Sequence, residues 1–306
     1  MGVWFSRNVY LPGVKRCDGT AMGVAKVRHT ETLLSAHTRL FEDPHARHFV
    51  IGAWIMSLMG AETILKMFEQ AMPGLYAMLA GRTRFFDDLC LHAEKAGCEQ
   101  MVVLGAGYDT RGIRLGLQIP CFEVDQAEVQ ALKKGGLDEL QLGERRARLH
   151  LVPVDFNSES VRKLGEHPAF RQGARTVVLL EGVTQYIPKE STAETLRHIQ
   201  ALVGPGSILG VSYVDEATFD EEPAVSQDLC GSPAAIARLL QQARAVGEPW
   251  MSGWSKTAFA SLLEASAFRV AQDVSVGDLE DVYFAPLGRS AAPFLRVERF
   301  VKAERV

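Results

Sequence analysis

Apolar and polar positions along this 306-residue chain change period near residue 100. From 20 to 97 apolar residues recur at helical spacing, with a periodicity through 50 to 80 that breaks at Pro73-Gly74 and resumes from Leu75 to His92. From 101 onward short apolar runs alternate with helical stretches. Met101 to Leu104, Cys121 to Val124, Leu149 to Pro153, Thr176 to Leu180 and Ile208 to Tyr213 read as strands, each followed by polar or glycine-containing turns. Such alternation builds a parallel sheet covered by helices. Ala267 to Val274 and Phe294 to Val306 read as two more strands without a long helix between them, which predicts an antiparallel pair at one side of the sheet. The expected layout is a helical amino-terminal cap or lid at 1–97, part of the same domain, over a sheet core at 98–306 with an insertion at about 215–265. No internal repeat interrupts this plan.

Chemistry enters at the ends of the strands. The first predicted strand delivers the chain to Gly105, Ala106 and Gly107, where missing side chains let the backbone approach a bulky ligand, and Asp109 and Thr110 can cap a following helix. The next strand ends at Asp125, twenty residues past Gly105, where a carboxylate can accept both hydroxyls of a ribose. A dinucleotide fingerprint would place a third glycine where Thr110 stands, and a phosphate loop would carry Gly-Lys-Ser/Thr. A two-glycine loop with a ribose acid suits S-adenosylmethionine, whose nucleoside bears no phosphate. On the loop alone, a plain tight turn is an equal reading.

Asp155 and Glu181 end the third and fourth strands, so three acids would point into one crevice with the glycine loop. Asp125 is expected on the ribose, Asp155 on the adenine amine with Phe156 against the ring, and Glu181 at the cationic end of the cofactor. Taken singly, each acid also reads as a helix cap or loop anchor. Trp250, Met251 and Trp254 either line a pocket above the strand ends or pack the insertion onto the sheet.

These motifs resemble the leucine carboxyl methyltransferases and their bacterial relatives. The matching residues are Leu104-Gly-Ala-Gly-Tyr-Asp-Thr-Arg111, Phe122-Glu-Val-Asp125, Val154-Asp155-Phe156 and Leu180-Glu-Gly-Val-Thr-Gln-Tyr186. Phe41-Glu-Asp-Pro-His-Ala46 and Arg82-Thr-Arg-Phe-Phe-Asp-Asp88 add to them from the amino-terminal half. The resemblance implies a Rossmann-like class I methyltransferase fold, a mostly parallel seven-stranded sheet, and S-adenosylmethionine as cofactor. It also implies a cofactor loop carrying Asp109 and Arg111, with Glu181 beside the methionine portion. Arg82, together with either Arg28 or Lys26, would hold the methionine carboxylate. Val103 departs from the pattern of many methyltransferases, which place an acid two residues before the first glycine. The family spans protein carboxyl-terminal leucines, modified transfer RNA and small acids or phenols of polyketide type, so the acceptor does not follow from the resemblance.

Composition narrows the partners. A net charge of -4 leaves no broad basic face for phosphate neutralisation, which argues against nucleic acid. Arg145, Arg146, Arg148 and the pair Lys133-Lys134 read as solvated helix faces. Cys17, Cys90, Cys98, Cys121 and Cys230 show neither a disulfide framework nor zinc spacing. The apolar run from Phe49 to Ala61 is too short to span a bilayer, and no secretory segment is legible, so a cytoplasmic location is expected. Met1-Gly2-Val3-Trp4-Phe5-Ser6 matches the spacing of an N-myristoylation signal at Gly2, a reading that needs a eukaryotic host.

What is missing shapes the mechanism. Leu-Glu-Gly-Val follows the fourth strand where amine-modifying enzymes of nucleobases carry Asn/Asp-Pro-Pro-Tyr, which disfavours nitrogen methylation of a base. None of the eight histidines falls in a catalytic or metal-binding motif, and His45 and His48 read as helix-surface residues. A carboxylate, with a pKa near 4, needs no general base. The expected activity is therefore O-methylation of a carboxylate, on a small acid or a protein carboxyl terminus, by positioning and water exclusion under a lid. A phenol, with a pKa near 10, would call for a base. Tyr186, Tyr213 and His198 are the candidates, each with a structural reading beside it. The rival readings are a phenol O-methyltransferase, a catalytically silent S-adenosylmethionine-binding module and, disfavoured by Thr110, an oxidoreductase.

Overall fold

The computed structural model describes residues 19–156, 159–220 and 233–306. Among these, the amino-terminal part forms α1 (Gly19–Leu33), α2 (Ala53–Met59), α3 (Ala61–Ala71) and α4 (Leu75–Lys95), with the break between α3 and α4 at Pro73-Gly74 as the periodicity predicts. Strands and helices then alternate: β1 (Gln100–Leu104), α5 (Arg111–Arg114), β2 (Cys121–Asp125), α6 (Ala127–Asp138), α7 (Glu144–Ala147), β3 (Leu149–Pro153), β4 (Thr176–Leu180), α8 (Lys189–Leu202) and β5 (Ile208–Val214). The chain continues through α9 (Pro233–Ala245), α10 (Lys256–Ala265), β6 (Phe268–Ser275) and β7 (Glu298–Arg305).

The described strands form one seven-stranded sheet in the order β3-β2-β1-β4-β5-β7-β6. β1 to β5 are parallel and β7 runs antiparallel to both of its neighbours. Every residue of β1, β4 and β5 is buried, because helices cover both faces of a parallel sheet. One face packs against α4 and the amino-terminal helices through Phe86, Met101, Leu179 and Phe300. The other packs through Phe122, Leu180, Tyr213 and Phe259. From β1 the order runs to β2 and β3 on one side and to β4 and β5 on the other, so the chain switches direction between β1 and β4. Open sheets of this kind bind ligands beyond the carboxyl ends of the strands at that switch.

Several expectations are corrected. β7 begins at Glu298 rather than Phe294, and short 3-10 and π turns occupy residues 276–287 ahead of it. The helix after the glycine loop is a single turn, α5. Thr110 stands at its N-cap but makes no capping bond; its hydroxyl donates instead to Asp43 at 2.6 Å. Asp109 does the capping, accepting the Arg111 N–H at 2.7 Å. Lys133 is not on a solvated face: it is buried, with Nζ 2.5 Å from the buried Glu123 carboxylate. Arg145 and Arg146 are half-buried and donate to the carbonyls of Ile113 and Leu149.

Cys90, Cys98 and Cys121 are buried free thiols. Cys17, Cys230 and the myristoylation pattern at Gly2 lie outside the described residues. No helix among the described residues is long and apolar enough to cross a membrane, and no group of three or more His, Cys, Asp or Glu among them could hold a metal ion.

Candidate active site

β1 ends where the chain must turn sharply against the loop after β4. Gly105 has φ of 64°, a conformation costly for any residue with a Cβ, and a Cβ there would lie 2.5 Å from Val183 Cγ2. The N–H groups of Gly105 and Ala106 both donate to the Val124 carbonyl, at 2.8 and 3.2 Å, which ties the loop to β2. Asp125, ending β2, accepts the Gly107 N–H at 2.6 Å and the Gln126 N–H at 2.7 Å. Those two backbone donors orient its carboxylate over a cavity of about 470 Å³ at the switch point.

Arg28, Arg82, Gly105, Ala106, Gly107, Asp109, Arg111, Asp125, Phe156, Glu181 and Tyr186, all singled out from the sequence, line this cavity. Asp155 does not. It lies half-exposed on the turn after β3, where its backbone N–H donates to Glu159 Oε2 and its carbonyl accepts the Glu159 N–H. Lys26 and Arg28 are both buried, and of the two Arg28 lines the cavity.

The charged wall is a continuous buried network that joins the sequence motifs. Arg82, on α4, donates through Nε to Glu181 Oε1 at 2.8 Å and through Nη1 to both Glu298 oxygens at 2.9 and 2.8 Å. Arg111 Nη1 lies 2.7 Å from Glu181 Oε2 and also pairs with Asp109, while its Nε donates to Asp87 at 2.7 Å. Asp87 also takes two bonds from Arg114. Asp43 lies 3.0 Å from Arg28 Nε, and Arg28 Nη2 donates to the Tyr108 carbonyl.

Breaking such a network strands a buried charge, which is why its members are complementary in number and placement. Burial opposes ionisation of Asp109, but Arg111 and Arg28 outweigh it and hold its carboxyl far below the usual range. Burial likewise disfavours charge on Arg82, and Glu298 and Glu181 more than compensate.

The rest of the lining includes apolar side chains. Phe68 comes from α3, Leu75 and Met78 from α4, and Leu239 and Ala243 from α9. Beyond α9, residues 246–251 close over the Thr184–Ile187 turn. Met251 N–H donates to the Gln185 carbonyl at 2.7 Å, and the Ser252 hydroxyl donates to the carbonyls of Thr184 and Ile187, both at 2.8 Å. Burial pushes the Tyr186 phenol up to about 12, although hydrogen bonds from the Trp250 and Thr20 side chains favour its anion. Tyr186 therefore stays protonated at neutral pH.

Tyr213 is corrected as a catalytic candidate. It is fully buried beneath the sheet, stacked on Phe259 at 4.2 Å, with its hydroxyl on Asp273 at 3.0 Å. Trp254 packs in that same core against Phe259, so only Trp250 and Met251 of the trio reach the cavity. His198, on α8, bonds Ser160 at 3.0 Å, and His48 lies 3.5 Å from Glu139; neither lines the cavity, nor does His45. Among the described lining residues three arginines face five carboxylates, with no lysine or histidine. Sequence reasoning missed Glu298. It assigned no role to Asp43 and Asp87, although both lie inside the quoted motifs.

A model of the family described as leucine carboxyl methyltransferase matches residues 21–200. The chain belongs to the leucine carboxyl methyltransferase family. It is 34% identical over 226 residues to a protein of Frankia alni named as an S-adenosyl-L-methionine-dependent methyltransferase, covering 72% of this chain and 76% of that one. A similarly named Mycobacterium tuberculosis protein is 29% identical over 305 residues, 94% of each chain. The fold is that of a solved DUF574 family protein from Streptomyces avermitilis, with a TM-score of 0.56 at 12% identity over 92% of this chain and 97% of that one. The stretch matched to the leucine carboxyl methyltransferase family takes in α1, α4, the glycine loop and Glu181, but stops well short of Glu298 on β7.

Proposed function

We propose that this member of the family, an S-adenosyl-L-methionine-dependent methyltransferase, methylates a carboxylate oxygen of a compact, apolar acid. The observation that carries the reading is one cavity lined both by the buried arginine–carboxylate network and by apolar side chains from α3, α4 and α9. The residues fit the cofactor by charge: the lining carboxylates outnumber the arginines, which suits a ligand of net positive charge.

In this reading Asp125 accepts the ribose hydroxyls and Phe156 covers the adenine. Arg82 and Arg28 receive the cofactor's carboxylate, Glu181 and Asp109 favour the charged form of those arginines, and Arg111 holds the two acids in place. When bound, the cofactor supplies an electrophilic methyl group on a positively charged sulfur. The apolar wall formed by Leu239, Ala243 and Met251 receives the body of the acceptor, and the Tyr186 hydroxyl can donate to its carboxylate. Since that phenol remains protonated, it orients the acceptor rather than deprotonating it. An acceptor that arrives ionised needs nothing more. Alignment and water exclusion can supply roughly 7 to 11 kcal/mol of barrier reduction.

A phenolic acceptor is the second reading, favoured by Glu248, a carboxylate near Tyr186 at the same end of the cavity. Incubation with methyl-labelled cofactor and a panel of apolar acids and phenols separates the two. Label lost in mild alkali marks a methyl ester, as expected; alkali-stable label marks an ether and overturns the carboxylate reading.

A further inference from the structure

We infer that Glu298 is a positioning residue, one that aims Arg82 at the carboxylate of the cofactor. The inference rests on the proposed reading of the cavity as an S-adenosylmethionine site. Glu298 is 1% exposed, lines the cavity, and grips Arg82 with both oxygens. It comes from β7, where it stands opposite Val214 at the carboxyl end of β5, so an antiparallel strand carries an acid into a crevice otherwise made by parallel strands.

The geometry divides the guanidinium into committed and available edges. Nε is bonded to Glu181 and Nη1 to Glu298. Gly182 packs closely on the same group: a Cβ there would lie 3.3 Å from both Nη1 and Nη2, so a side chain at that position would press on the guanidinium. A planar guanidinium held at two of its nitrogens has one orientation left, and in the proposed reading Nη2 is the nitrogen left for the ligand. With Glu298 absent, Glu181 alone would hold Arg82 through Nε, about which the side chain can swing. Glu298 would then act on binding through Arg82 without touching the ligand itself.

Neutralising a buried arginine is also a structural role, and the test must tell the two apart. S-adenosylhomocysteine and 5′-methylthioadenosine share the nucleoside and the sulfur, but only the first carries the carboxylate that Arg82 would hold. Calorimetric titration of both into the wild-type protein and Glu298→Gln is expected to show homocysteine-ligand affinity falling about tenfold, while methylthioadenosine affinity stays within about twofold. Glu298→Asp, which keeps the charge but withdraws it by one methylene, is expected to lose the same selectivity and serves if the amide variant fails to fold. Equal loss for both ligands, or no loss for either, overturns the positioning role while leaving the cofactor reading intact. Failure of the wild-type protein to bind either ligand overturns the cofactor reading and this inference with it.

Discussion

On the charged side of the cavity lining, Arg28, Arg82 and Arg111 are held by Asp43, Asp87, Asp109, Glu181 and Glu298, all under a tenth exposed at the side chain or close to it. On the apolar side, Phe68, Leu75, Leu239, Ala243 and Met251 offer a ligand dispersion contacts, and residues 251–252 are tied to the Thr184–Ile187 turn by backbone and hydroxyl bonds. The two sides obey different economies of change. Removing one member of a buried ionic network leaves its partners charged and unsolvated, so the network persists or fails as a unit. An apolar wall can exchange one side chain for another at modest cost. The charged side therefore suits a ligand that never varies, and the apolar side suits one that differs between related enzymes.

The largest test of that contrast is Arg111→Ala. It strands Asp109 and removes a partner of Glu181 and Asp87, so unfolding in urea should show a loss of about 3 to 5 kcal/mol. A loss under about 1 kcal/mol would mean the network is loosely coupled. Next comes Asp125→Ala, which deletes the acceptor of the Gly107 N–H. Titration calorimetry should show cofactor affinity weakened by about 1 to 3 kcal/mol through lost hydrogen bonds.

On the apolar side, Met251→Ala should raise KM for the acceptor severalfold. Because that side chain is 56% exposed, stability should stay within about 0.5 kcal/mol; an equal loss of cofactor affinity would erase the division between the two sides. The smallest effect concerns Tyr186. Its proton is bound from neutral pH up to about 12, so kcat/KM should be flat between about pH 7 and 9, and Tyr186→Phe should cost less than about tenfold, the value of one orienting hydrogen bond. A rate that climbs with pH and loses that climb in the variant would restore Tyr186 as a base.

Much of the fold was legible because each strand is a short apolar run bounded by turn residues; Leu149–Pro153 and Thr176–Leu180 form where the pattern places them. The glycine loop and Asp125 were legible too, since a strand followed by Gly-x-Gly and a strand-end acid is a local signal. Asp155 was singled out by the same kind of signal. It ends a strand as its counterparts do, but β3 is at the sheet's edge, and the acid lies outside the cavity wall. Thr110 reads as a helix cap from its neighbours, whereas a residue 67 positions away, Asp43, claims its hydroxyl. Tyr213 follows a strand pattern that says it is buried, not on which face of the sheet.

The sequence by itself determined the alternation of strands and helices, the two-glycine turn and the chain order of the acids, because those depend on period and spacing within a few residues. Only the tertiary structure decided which charges meet. Glu298 lies 216 residues from Arg82, and nothing in Arg-Val-Glu-Arg-Phe marks it. Pairing of buried charges is settled by which strand ends and helix faces packing brings within about 3 Å, and no local pattern encodes that distance.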